Sequence, residues 1–126
     1  MAVLNRVQLI GRLGKDPESH STSKGTIVCS FSLAVDHRWR GADGVEQKET
    51  DWFNCETWRN QAEFCQKYAH KGQLVYLEGR LKTDHYESQG ETRYFTKVVV
   101  NNIQLLEWRG EDKESAALEE ESEIEE

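Results

Sequence analysis

Alternation of apolar and polar positions with a period of two runs through most of the chain and predicts strands. Between Asn5 and Leu13, the positions Val7, Leu9, Gly11 and Leu13 oppose Arg6, Gln8, Ile10 and Arg12, with Gly11 placed for a bulge or bend. Gly14-Lys15-Asp16-Pro17 ends this strand, and Ser19 to Gly25 reads as a polar connection. From Thr26 to Asp36, one face carries Ile27, Cys29, Phe31, Leu33 and Val35. His37 to Glu49 is hydrophilic around a Gly41-Ala42-Asp43-Gly44 turn, which predicts a hairpin with a long tip carrying Trp39. A third strand, Thr50 to Trp58, follows. The period then changes: Ala62, Phe64, Cys65, Tyr68 and Ala69 mark the apolar side of a short helix. Asn60 and Glu63 are spaced as a capping box at its start, and His70-Lys71-Gly72 closes it. Leu74 to Lys82 returns to period two, with Val75, Leu77, Gly79 and Leu81 inward. A second polar hairpin passes through Glu87-Ser88-Gln89-Gly90, and Tyr94 to Leu106 forms the last strand.

Five strands with one short helix between the third and fourth is the element order of a five-stranded OB-fold barrel, an all-β class. The third strand departs from the usual pattern. Phe53, Cys55 and Thr57 share one face, while Trp52, Asn54, Glu56 and Trp58 share the other, so two indoles stand on the polar side. A core would draw an indole to the apolar set. Two large rings displayed beside Asn and Glu instead offer a π surface for a stacking ligand or for a covering subunit.

Charge divides the chain in two. The net charge is −7, but residues 110–126 hold nine acids against one lysine, leaving 14 acids against 15 cations in residues 1–109. The expected organisation is a near-neutral domain over 1–109 and an acidic disordered tail over 110–126. Because each segment meets its own partners, the negative total does not exclude a phosphate backbone. Cys29, Cys55 and Cys65 form no C-x-x-C and read as small buried hydrophobes. His20, His37, His70 and His85 are scattered, so no metal site is expected. No apolar run reaches the length of a membrane span. No nucleophile motif, glycine-rich phosphate loop or apolar-pocket carboxylate stands out, so neither catalysis nor a cofactor is expected.

Aromatic residues interleave with cations at Arg38-Trp39-Arg40, at Trp52 with Trp58-Arg59, and at Lys82 with His85-Tyr86. Rings stack on bases whatever their identity while Lys and Arg follow phosphates, a combination suited to single strands read without sequence preference. A duplex hides its base faces. Two other readings remain open from the residues: a protein-interaction OB module whose aromatic face is an interface, and a binder of single-stranded RNA, since stacking alone does not sense the 2′-hydroxyl. Trp108 has no assignment from the pattern.

Residues 3–107 resemble the bacterial-type single-stranded DNA-binding proteins. The resemblance rests on Asn5-Arg6-Val7, Gly11-Arg12-Leu13-Gly14-Lys15-Asp16-Pro17-Glu18, Ser32-Leu33-Ala34-Val35, Thr50-Asp51-Trp52-Phe53, Lys71-Gly72, Val75 to Leu81 and Val98-Val99-Val100. It implies an OB fold, a homotetramer, and single-stranded DNA as partner in replication, recombination and repair, with a cytoplasmic, nucleoid-associated location. It also implies stacking by Trp39, Trp52, Trp58 and Tyr86. The expected phosphate contacts are Arg38, Arg40, Arg59, Lys71 and Lys82, and the expected subunit contacts are Phe53 and Tyr76. Phe53 departs from the histidine common at that position in the family. The tail departs too: it ends Glu123-Ile124-Glu125-Glu126, without the Pro-Phe tip that docks replication and repair proteins on family tails.

Overall fold

The computed structural model describes residues 3–108 and contains six strands and one helix. The strands are β1 (Val7–Leu13), β2 (Glu18–Ser21), β3 (Ile27–Arg40), β4 (Glu46–Trp58), β5 (Leu74–Ser88) and β6 (Glu91–Leu105), and α1 (Asn60–Tyr68) lies between β4 and β5. Five of them close a barrel: the sheet runs β1-β5-β6-β4-β3, and β1 pairs back onto β3. β1 achieves this by serving two partners, β5 along Val7 to Arg12 and β3 at Arg12 and Leu13. Gly11 sits at the changeover, where a Cβ would lie 2.4 Å from the Ala34 carbonyl oxygen, so the bend expected there has a steric cause.

β2 is the strand that the pattern did not predict. Its Glu-Ser-His-Ser sequence is exposed at every position and hydrogen-bonds to the free edge of β3, from Glu18 opposite Ser30 to Ser21 opposite Ile27. A polar edge strand buries no side chains and leaves no alternation to read. Both hairpins are also longer than their apolar patterns. The β3–β4 ladder runs unbroken from Val28 opposite Trp58 to Arg40 opposite Glu46, so most of the expected polar tip is strand. Its turn is the expected one, with the Gly41 N–H donating to the Val45 carbonyl. The β5–β6 ladder reaches Ser88 opposite Glu91, and Gln89 and Gly90 both take positive φ, the geometry of a two-residue type I′ turn.

The core is the barrel interior, with Leu13, Cys29, Phe31, Leu33, Cys55, Val75, Leu77, Val98 and Val100 buried. α1 closes one end with Ala62, Cys65 and Tyr68. The expected Asn60–Glu63 capping box does not form. Arg59 is the N-cap at φ 56°, with no side-chain capping bond, because its N–H is tied to the Ile27 carbonyl and the chain enters the helix one residue early. Trp108 packs edge-on against Phe64 and beside Tyr68, and its indole N–H donates to the Leu105 carbonyl, so it belongs to the closing layer over α1. Arg12 clamps Glu107 through two bonds of 2.9 and 3.0 Å, and the Gln73 amide donates to the Glu107 carbonyl. All three cysteines are buried and free, and burial pushes the Cys55 and Cys65 thiols up to about 12, so they stay protonated packing groups. The acidic segment 110–126 lies outside the described residues.

Candidate nucleic-acid interface

Strand alternation sorts the candidate residues onto faces. On β4, Trp52, Asn54, Glu56 and Trp58 point away from the barrel interior, and their partners on β3 are Ala34, Ser32, Ser30 and Val28. Trp52 is 61 % exposed although large and apolar. Its seat is Gly14: a Cβ there would lie 2.5 Å from the indole, so the ring rests on bare backbone with its other face in solvent. Trp58 is held differently. Its N–H donates to Glu56 Oε1 at 2.6 Å, and Glu56 Oε2 accepts from Lys97 Nζ at 2.9 Å.

Lys97 links this strand to the second hairpin, since its ammonium also meets Asp84 Oδ2 at 3.0 Å, and Lys82 stands 3.6 Å from the other Asp84 oxygen. Burial alone would lower the Lys97 pKa, but the bonds to Glu56 and Asp84 outweigh it and raise the value above that of an ordinary lysine. The Asp84 carboxyl is held below its usual range, chiefly by its hydrogen bond to Lys97. Lys97 is thus committed inside a carboxylate pair, whereas Lys82 is half exposed and held by one long contact. Because Lys82, Asp84 and Tyr86 alternate on one side of β5, Tyr86, 52 % exposed, shares the outer face with Trp58.

Arg38 and Arg40 lie on the same face of β3 as Ala34, hence on the Trp52 side of the β3–β4 arm. Arg38 makes a weak surface pair with Glu46 at 3.7 Å, and such pairs exchange readily for another anion. Trp39 occupies the opposite face of that arm, stacked on His37 with centroids 5.3 Å apart. The structure therefore brings Trp52, Trp58, Tyr86, Arg38, Arg40 and Lys82 to one side and leaves Trp39 near the tip on the other. Arg59 is exposed at the strained start of α1. Lys71 is exposed in the loop after α1, where its N–H donates to Asp16 at 2.7 Å.

The two expected subunit contacts fall in unlike places. Phe53 points inward opposite Leu33 and packs partly buried against the core. Tyr76 faces outward beside the exposed Ile10; its hydroxyl donates to Glu78 and accepts from Gln8. Two exposed aromatics were not singled out by the pattern: Tyr94, edge-on to His85, and Phe95, opposite Asp84. Their adjacency in Tyr94-Phe95 hides them, since one ring on each face of a strand reads as ordinary β composition. Among the described residues no helix is long and apolar enough to cross a membrane.

Residues 4–106 match the model of the single-strand binding protein family. The chain is 40 % identical over 116 residues to the single-stranded DNA-binding protein of Lactiplantibacillus plantarum, covering 91 % of this chain and 57 % of that one. It is 43 % identical over 106 residues to single-stranded DNA-binding protein A of Bacillus subtilis, covering 83 % of this chain and 60 % of the relative. The chain thus spans little more than half the length of these relatives. Among solved structures it is similar to a Plasmodium falciparum SSB complex with ssDNA, with a TM-score of 0.79 and 28 % identity over 85 % of this chain and 98 % of that one.

Proposed function

This chain belongs to the single-strand binding protein family, and from that premise we propose that it binds single-stranded DNA independently of sequence, without catalysis, in replication, recombination and repair. The observation that carries the reading is the outer face on which Trp52, Trp58 and Tyr86 are exposed together with Arg38, Arg40 and Lys82. Stacking on these rings supplies base-independent affinity, and the cations follow the phosphates. Trp39, on the far side of the arm, would engage a strand that wraps around the hairpin tip. Arg59 and Lys71 would take phosphates at the end of the barrel near α1.

Titration with oligo-dT tests this directly: tryptophan emission should be strongly quenched. The logarithm of affinity should fall with the logarithm of salt concentration, at a slope of about −0.7 per phosphate contact. Unchanged emission at saturating oligo-dT would leave the exposed rings to a protein interface instead. Oligo-rU in parallel separates a DNA from an RNA ligand.

Assembly and location complete the proposal. The outer face of β1 and β5, with Ile10 half exposed beside Tyr76, supports a homotetramer of closed symmetry. Light scattering should then give four times the chain mass at micromolar concentration, and a monomer would refute it. The protein would act in the cytoplasm at the nucleoid. Its acidic segment 110–126 would offer a negatively charged surface to replication or repair proteins with basic grooves. Pull-downs by the full chain and by a chain ending at Arg109 test that, and identical pull-downs would mean that the segment recruits nothing.

A further inference from the structure

Beside Asn54 and Glu56, the outward residues between Trp52 and Trp58 on β4, lies a cleft of about 270 Å³ whose exposed apolar wall is Phe95. Its floor is formed by Ser30, Ser32 and Asn54, and Lys15 lines it together with the carboxylates of Asp16 and Glu18. Phe95 is 44 % exposed, an unusual place for a phenylalanine on a strand whose inward neighbours Val98 and Val100 are fully buried. Among the described residues no other ring packs against it, in contrast to Tyr94, which packs on His85. The hydroxyls of Ser30 and Ser32 and the amide of Asn54 make no hydrogen bond among the described residues. An exposed ring above a row of uncommitted donors and acceptors is a surface prepared for a flat, polar-edged ligand.

The spacing of the flanking tryptophans says what that ligand is. Trp52 and Trp58 are six residues apart on one strand, about 20 Å, too far for adjacent bases to occupy both. A strand stacked at each end must pass over Asn54 and Glu56, and its intervening bases meet the cleft.

We propose that Phe95 is a further base-stacking residue and that the cleft it walls receives a base of the strand running between Trp52 and Trp58. The proposal rests on the single-strand-binding reading above and adds a position to it. Stacking holds the base by its π face, while the floor hydroxyls and the Asn54 amide, being both donors and acceptors, satisfy its edge whichever base it is. Lys97 plays no part in holding a phosphate here, because Glu56 and Asp84 already claim its ammonium.

The test compares Phe95→Ala, Phe95→Leu and Trp52→Ala with the parent, using labelled oligo-dT in fluorescence anisotropy and circular dichroism to check the fold. Phe95→Leu keeps an apolar side chain without a π face, so it separates stacking from packing. We expect both Phe95 variants to bind about fivefold to a hundredfold more weakly, as one stacked base requires, with the parent's salt slope. Irradiation of the parent complex with 5-iodo-deoxyuridine oligonucleotides should give an adduct at Phe95 by mass spectrometry. Parent affinity in Phe95→Leu together with no adduct at Phe95, while Trp52→Ala binds weakly, would overturn the proposal and leave the general reading intact. Absence of oligo-dT binding by the parent would overturn both.

Discussion

Replacing Trp52 and Trp58 together by alanine should lower affinity for oligo-dT by about 2–6 kcal/mol, roughly thirtyfold to twenty-thousandfold, the sum of two stacked bases. The two positions are far enough apart, and seated differently enough, for their contributions to add. Trp52 lies on Gly14 with one face in solvent, so its loss creates no cavity. Trp58 leaves behind Glu56, which keeps Lys97 as its partner, so no buried charge is stranded. The double variant should therefore fold as the parent does while losing most of its emission change on binding. Anisotropy titrations of the parent, both single variants and the double variant measure the effect. A loss of less than about threefold in the double variant would place the binding energy elsewhere, since one stacked base alone exceeds it.

The largest effect on stability is expected away from that face, at Gly79. A Cβ there would lie 2.2 Å from the Val99 carbonyl oxygen and 2.9 Å from its carbon, at the bulge between Glu78 and Gly79 where β5 shifts register against β6. Both atoms are backbone and cannot swing aside. Gly79→Ala should destabilise the barrel by about 3 kcal/mol, the upper range for overpacking, and lower Tm by on the order of 10–20 °C for a domain of this size. Gly25→Ala is the control. There a Cβ would meet nothing within 4 Å and only the φ of 81° is unfavourable, so its cost should be about 1 kcal/mol. Thermal unfolding followed by circular dichroism compares the two. Equal shifts would mean that the bulge relaxes around the methyl group and that the close approach does not close the barrel.

Much of the architecture was legible because burial imposes periodicity. Ile27, Cys29, Phe31, Leu33 and Val35 mark the inner face of β3 by alternation, and all of them lie in or against the core. Trp52 and Trp58 stand outside the apolar set of β4 and are indeed exposed. The turns, the helix and the order of the elements also follow local rules, which act over a few residues and can be read a few residues at a time. The same locality explains the failures. β2 and the outer reaches of β3, β4 and β5 are held by backbone pairing between exposed polar residues, and backbone hydrogen bonds leave no trace in side-chain pattern.

By itself, then, the sequence determined the element types, the inward faces, the aromatic and basic character of the outer face and the family. Only the tertiary structure decided which faces meet. The double pairing of β1 and the parallel contact of Cys55 and Glu56 with Val98 and Val99 close the barrel. That closure carries Lys97 to Glu56 and sets Phe95 against the floor of β3 and β4, residues some forty to sixty-five positions distant along the chain. It also draws Trp108 over α1 through Phe64 and Tyr68. The physical reason is the same in each case: a strand's own residues set its two faces, but what each face looks upon depends on how the sheet curls, and curl is a property of long-range pairing.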